Sequence, residues 1–282
     1  MNTQVAAVTG AGGYVGGLIR QALSESGWRV VGLVRRLRDL DDIPYDLAAG
    51  LDPGVLRGVD LLVHCAWDFR AARRADDWRI NVGGCRRLLT AASEAGVGRV
   101  IVVSSIAAFP GTHQRYGRAK LAVEAAARAH GAAVIRPGLV FGERPGGMVG
   151  TLERLAGLPL IPLPASASDQ YLLHERDLGA AVLRLATLPE LPRRPLVLAH
   201  PAPVGMKDLV TELARRRGSR PVIVPVPWAP AYVLLRLGEV SHLDLPVRAD
   251  SLWGLAPPPP PPPADLAELG ISPRPFRAGD EP

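Results

Sequence analysis

Cysteine is nearly absent: 282 residues hold only Cys65 and Cys85. Two cysteines exclude a disulfide scaffold and a cysteine-rich zinc module. Both sit in apolar context, which fits reduced, buried thiols in a cytosol, and no metal site is expected. No stretch reaches the ~18 uncharged apolar residues of a membrane span. The N-terminus lacks a charged segment ahead of an apolar one and enters a strand-like run at once, so no signal peptide is expected. Long blocks of one charge are missing too. Lys and Arg number 33 against 27 Asp and Glu, a net charge of +6. The arginine clusters at 35–38 and 215–217 are short, so nucleic acid is not an expected partner; the surplus suits an anionic small molecule. Apolar residues make up 48% of the chain, enough to bury a sizeable core in one or two domains.

The first half alternates strand and helix signals. Val5 to Val8, Arg29 to Val34, Asp60 to Cys65, Val100 to Val103 and Val134-Ile135 are short apolar runs. Helical stretches lie between them: Val15 to Ser26, Trp78 to Ala95 and Tyr116 to His130. Strands buried on both faces read as continuous apolar runs, and helical crossovers make the sheet parallel. This rhythm predicts a doubly wound α/β domain over residues 1–142. Beyond Gly142 prolines become frequent and strand signals sparse. Leu178 to Leu188 and Lys207 to Arg217 read as helices, and Leu196 to Ala199 as a strand. Residues 143–282 are expected to be mainly a smaller, mixed substrate-binding domain, with about 170–200 returning to the first. The seven prolines 257–263 predict a polyproline II spacer before a helix over Ala264 to Leu269.

The first strand is followed by Thr9-Gly10-Ala11-Gly12-Gly13-Tyr14-Val15-Gly16. Gly10 permits a tight turn, Gly13 lets backbone amides approach a pyrophosphate, and Gly16 lets the helix pack on the strand. A glycine-rich turn alone is weak, but this one lies inside a βαβ unit and so points to a dinucleotide.

The GxxGxxG spacing resembles that of the extended short-chain dehydrogenase/reductases, the NAD-dependent epimerase/dehydratase family. Further matches follow in order. His64-Cys65-Ala66 resembles the family's HxA, Asn81 its NxxG, and Val103-Ser104-Ser105 its strand ending in serine. Tyr116 to Lys120 is the YxxxK pattern, and Arg136-Pro137 to Gly142 resembles RPxxVYG. His174 to Asp177 and Leu269 to Pro273 resemble the HVxD and LGxxP segments. The resemblance implies a Rossmann domain, a nicotinamide cofactor and a cytoplasmic enzyme. It implies cofactor contacts from Gly10, Gly13, Tyr14, Val15, Gly16, Asp46, Leu47, Cys65, Ala66, Trp67, Asn81, Val103, Tyr116, Lys120 and Pro137. It also implies a homodimer face on the helices Trp78–Ala95 and Tyr116–His130.

An Asp ending the second strand would hydrogen-bond an adenosine ribose. Here Val34 takes that register and Arg35-Arg36 follow. Nothing there repels a 2′-phosphate, and a guanidinium can hold one, so NADP(H) is expected over NAD(H). The competing reading of Arg35 is a solvated basic loop.

Tyr116 and Lys120 share a helix face at a spacing of four. An ammonium beside a phenol is expected to lower its pKa, and a phenol so placed can pass a proton to a carbonyl oxygen. Ser105, at a strand's carboxyl end, can hydrogen-bond the same oxygen. The resemblance gives all three these catalytic roles. Asp68, Ser105, His113 and Gln114 are substrate candidates, although His113 and Gln114 also read as a polar turn. His174 reads as structural rather than as a base.

The reaction is less constrained. Sugar-nucleotide dehydratases of the family carry Asp-Glu after the serine; Ile106-Ala107 stand here and move no proton. The expectation is an NADPH-dependent ketoreductase on a nucleotide-linked keto-deoxysugar. The alternatives are an NAD-dependent epimerase on the same class, a reductase of another small carbonyl compound, and a cofactor-binding scaffold.

Overall fold

A computed structural model of the chain describes residues 3–73, 76–165, 167–241, 249, 252 and 265–276. Seven strands form one wholly parallel sheet: β1 (Val5–Thr9), β2 (Arg29–Val34), β3 (Asp42–Pro44), β4 (Leu61–His64), β5 (Arg99–Val103), β6 (Ala133–Pro137) and β10 (Leu196–Leu198). Their spatial order is β10-β6-β5-β4-β1-β2-β3. The order reverses between β1 and β4, which pair from Ala6–Leu61 to Thr9–His64. In such sheets the ligand crevice opens where the order reverses, beyond the strands' carboxyl ends.

Side chains alternate across each strand, so one strand feeds two cores. Ala6, Val8, Leu61, Val63, Ile101 and Val103 pack on helices α1 (Tyr14–Glu25) and α6 (Glu175–Thr187) through Ile19, Leu23, Leu178 and Val182. Ala7, Leu33 and Leu62 face the opposite side, against Leu88 of α3 (Gly83–Glu94). Val102 and Val134 meet Val123 and Ala127 of α4 (Arg115–Ala129) on that same side. Each fully buried aliphatic side chain contributes about 1.5–3 kcal/mol.

The expected helix from Trp78 starts differently. After the short helix α2 (Phe69–Arg73), Trp78–Val82 is a π-helical turn leading into α3. Its wide winding turns Asn81 toward the chain after β4, and such turns recur at functional sites.

The second half holds more strand than its prolines suggested. β7 (Leu139–Phe141) pairs with β9 (Leu172–His174), and β8 (Leu160–Pro164) with β11 (Val222–Val226). Each pair is an isolated two-stranded ribbon. Every strand is then an edge, where a proline's missing N–H can face outward, so Pro162, Pro164 and Pro225 are tolerated. Helices α5 (Gly147–Ala156) and α7 (Met206–Arg216) cover this region around Phe141, Ile161, Leu172 and Leu209. Helix α8 (Trp228–Val240) follows. The span β9-α6-β10 runs back onto the large sheet, with β10 pairing β6. Near the C-terminus, helix α9 (Asp265–Glu268) is fixed by Asp265, which accepts from the Val197 amide at 2.6 Å and from Arg194 at 2.8 Å. The proline run 257–263 lies outside the described residues.

Candidate active site

The carboxyl ends of β1, β2, β4, β5 and β6 open into one cavity of about 1890 Å³ that also reaches α5, β8 and α8. Drug-sized pockets typically enclose about 300–1,000 Å³, so this one has room for a dinucleotide and a second molecule.

The glycine turn forms one wall. Gly10 has φ +67°, and a Cβ there would lie 2.9 Å from the Ala66 Cα. A Cβ on Gly16 would lie 2.2 Å from the Gly10 carbonyl oxygen. Only glycines let α1 start this close to β4. The α1 N-cap, Gly13, brings no side chain to the free amides, which therefore face the cavity as an anion site. Thr9 locks the neighbouring strand end. Its hydroxyl accepts from the amides of Cys65 and Ala66, both at 3.1 Å. It must therefore donate to His64 Nδ1, 2.8 Å away. Burial drives the His64 pKa down to about 3, so the ring stays neutral.

Tyr116, Lys120 and Ser105 come together at the far end. Ser105, whose Oγ accepts from the Ala107 amide at 3.2 Å, lies near enough to the Tyr116 phenol to favour its ionised form. Lys120 is 4% exposed, and its Nζ donates to the Val103 carbonyl at 2.9 Å. The ammonium stands 4.1 Å from the Trp67 ring centroid and 5.7 Å from that of Tyr116. Trp67 meets the Tyr116 ring edge-on at 5.2 Å, and Phe69 stacks on it at 6.0 Å. Helix α4 reaches this loop because residue 117 is glycine: a Cβ there would lie 2.2 Å from the Ala107 carbonyl oxygen.

The electrostatics correct one expectation. Lys120 does not bring the phenol down. Burial pushes Tyr116 up to about 12, opposed only by the neighbouring Ser105 side chain. Burial also pulls Lys120 down to about 8. With the ammonium directed at Val103 and Trp67, desolvation dominates both groups.

Beneath the triad lies a network the sequence reading missed. Glu124, fully buried on α4, accepts from Arg136 Nε at 2.8 Å and from its terminal nitrogen at 2.6 Å. Ser104 Oγ donates to the same carboxylate at 2.5 Å. The network ties α4 to the ends of β5 and β6, and so fixes Ser105 relative to Tyr116.

Every expected site residue but one lines the cavity. Asn81 does not: its Oδ1 accepts from the Asp68 amide at 2.7 Å and its Nδ2 donates to the Asp68 carbonyl at 3.1 Å. Asp68 itself faces the Arg35 guanidinium at 3.6 Å, on the β2 side of the cleft. Arg35 and Arg36 are joined there by Arg38, which donates to the Gly12 carbonyl at 3.1 Å. The signal for Arg38 was its place four residues past the strand end. His113 and Gln114 lead into α4 with Gln114 as its N-cap. His174 caps α6, its Nδ1 accepting from the Arg176 amide at 3.1 Å. Among the described residues no group of three or more His, Cys, Asp or Glu could hold a metal ion, and no helix is long and apolar enough to cross a membrane.

The model of the NAD dependent epimerase/dehydratase family matches residues 6–192. The chain belongs to that family. It is accordingly an enzyme of the NAD(P)-dependent oxidoreductase type. The ceramide reductase of Caulobacter vibrioides is 29% identical over 235 residues, covering 79% of this chain and 74% of that one. An uncharacterized protein of Mycobacterium tuberculosis is 28% identical over 248 residues, 85% of this chain but 26% of that longer protein. Solved structures share the fold. MoeE5 in complex with UDP-glucuronic acid and NAD superposes with a TM-score of 0.67 at 22% identity, over 95% of this chain and 98% of that one. The epimerase Mth375 of Methanothermobacter thermautotrophicus gives 0.69 at 16% identity, over 80% of each.

Proposed function

We propose that the protein is an NADPH-dependent ketoreductase, with Ser105, Tyr116 and Lys120 as its catalytic residues. The observation that carries this is the convergence of Ser105 and the Tyr116 phenol on one end of the cleft beside a buried Lys120, where Ile106 and Ala107 offer no second acid or base. The glycine turn, with no cap side chain over its amides, fits the pyrophosphate of a nicotinamide dinucleotide. Arg35, Arg36 and Arg38 stand where the ribose carboxylate is missing, which favours a 2′-phosphate.

The bound cofactor supplies a hydride. Tyr116, held protonated by burial, gives its proton to the carbonyl oxygen, so ketone becomes alcohol. Ser105 donates to that oxygen and aligns it. Lys120, its ammonium turned to the Val103 carbonyl, serves the nicotinamide ribose rather than the phenolate, which regains its proton from solvent. Raised to about 12 by burial, the phenol carries its proton throughout the neutral range, so the proton that reduction consumes is present. Residues 143–165 and 204–241 act as the substrate-binding unit, and the enzyme works in the cytoplasm.

The nucleotide-linked keto-deoxysugar expected from the sequence draws support from neighbours such as MoeE5, solved with UDP-glucose. The Caulobacter relative is named instead for a ceramide. The test is consumption of NADPH by the purified chain with a panel of ketones of both kinds. A reductase oxidises one equivalent per alcohol formed. An epimerase interconverts sugars with no net consumption, and that result would displace this reading.

A further inference from the structure

We infer that the ketone is carried on a long hydrocarbon chain, which lies in the outer half of the cleft between α5, β8 and α8. The inference rests on the reductase reading for its chemistry, but on different residues for its geometry.

The cavity that ends at Tyr116 continues along Leu155, Leu158, Leu160, Leu234 and Leu235. These five side chains belong to none of the hydrophobic clusters that pack the described residues. Leu158 and Leu160 are 48% and 52% exposed, and Leu234 is 71% exposed. A row of large apolar side chains left unpacked along one continuous cavity marks a surface that something apolar covers. Continuity with the Ser105–Tyr116 end names the occupant: the remainder of the molecule whose ketone reacts there.

Polar groups collect near the reacting end. His113 and Gln114 lead into Tyr116. Asp169 and Gln170 precede Tyr171, which packs with Ile106, the neighbour of Ser105. The substrate therefore has a polar head by the ketone and an apolar tail beyond it. A nucleoside diphosphate fits the outer half poorly, because its charges need cations that are not already engaged. Among the described residues of α5, β8 and α8 that line this half, the basic one is Arg236, and it is held by Glu239 at 3.0 Å.

The experiment is calorimetric titration of the full chain, saturated with oxidised cofactor, with methyl ketones from 2-octanone to 2-tetradecanone, and with UDP-glucose. Affinity is expected to rise about three- to fourfold for each added methylene, the ratio for moving a CH₂ out of water. UDP-glucose at millimolar concentration is expected not to displace 2-tetradecanone. Leu155→Asp, on the rim of a half-buried helix face, should flatten the chain-length series while still binding cofactor, which shows that the variant is folded. Affinity independent of chain length, or displacement by UDP-glucose, overturns the inference. NADPH oxidation with the tightest ketone is read separately. A chain-length series without turnover supports the apolar site and defeats the reductase reading. Turnover without the series defeats the inference and leaves the reductase reading standing.

Discussion

Replacing Lys120 with Met is expected to stabilise the protein at neutral pH while abolishing its turnover. Lys120 is 4% exposed, and burial holds its pKa at about 8 against an ordinary 10.5. At about 1.4 kcal/mol per tenfold change, carrying the ammonium into the fold costs roughly 3 kcal/mol relative to the neutral amine. Methionine has similar length, no charge and a sulfur suited to the Trp67 face. The variant should therefore gain about 2–3 kcal/mol at pH 7, or roughly 5–10 °C in Tm.

The sign with pH follows from the depressed pKa. Between about pH 8 and 10.5 the unfolded chain binds the proton that the folded chain has lost. Wild-type stability therefore rises across that window, and the advantage of the variant shrinks to about 1 kcal/mol at pH 10. Urea unfolding of both proteins at pH 7 and pH 10, without cofactor, measures this directly. Cofactor titration of the same samples should show weaker binding by Lys120→Met, because the ammonium is also the expected partner of the nicotinamide ribose. A variant less stable at pH 7, or a difference equal at the two pH values, would refute the claim that desolvation governs this lysine.

Three further outcomes are expected. Tyr116→Phe keeps the ring contacts with Trp67 and Phe69 but removes the acid, so turnover should fall about 10²–10⁴-fold with cofactor affinity nearly unchanged; near wild-type NADPH oxidation would move the proton source elsewhere. Arg35→Ala should weaken NADP(H) by about 1.5 kcal/mol and leave NAD(H) unchanged in paired titrations, the low end for a charged hydrogen bond because the guanidinium is half exposed and already faces Asp68. Glu124→Ala leaves Arg136 without its carboxylate and frees Ser104, so chemical denaturation should show a loss of about 3 kcal/mol, and a neutral result would mean the buried pair holds nothing.

The sheet was legible because its strands are buried on both faces. Val5–Val8 and Leu61–His64 carry no polar alternation that could be mistaken for an edge, and the intervening helices leave a parallel order as the simple solution. β3 was missed because Asp42–Pro44 is short and its Asp42 is committed to Arg20 at 2.7 Å, a tertiary pair that periodicity does not report. β8 and β11 were missed because proline argues against strands in general but not against ribbons of two. The proposed catalytic residues were legible by type. Only two lysines, Lys120 and Lys207, stand in a chain whose other cations are arginines. An arginine could not serve at position 120, since its planar fork does not fit a site built for a point charge and it does not give up its proton. What the sequence could not show is the protonation order. Spacing put an ammonium beside a phenol and suggested that the charge would lower the phenol. The fold instead turned Lys120 toward the Val103 carbonyl and closed Trp67 and Phe69 around Tyr116, so burial prevails over charge at both groups. The apolar outer cleft was hidden for a related reason. Leu155, Leu160 and Leu234 lie on three different elements, and each alone reads as ordinary core. Only their convergence on one cavity, outside the packed clusters, separates the proposed substrate wall from a folding core.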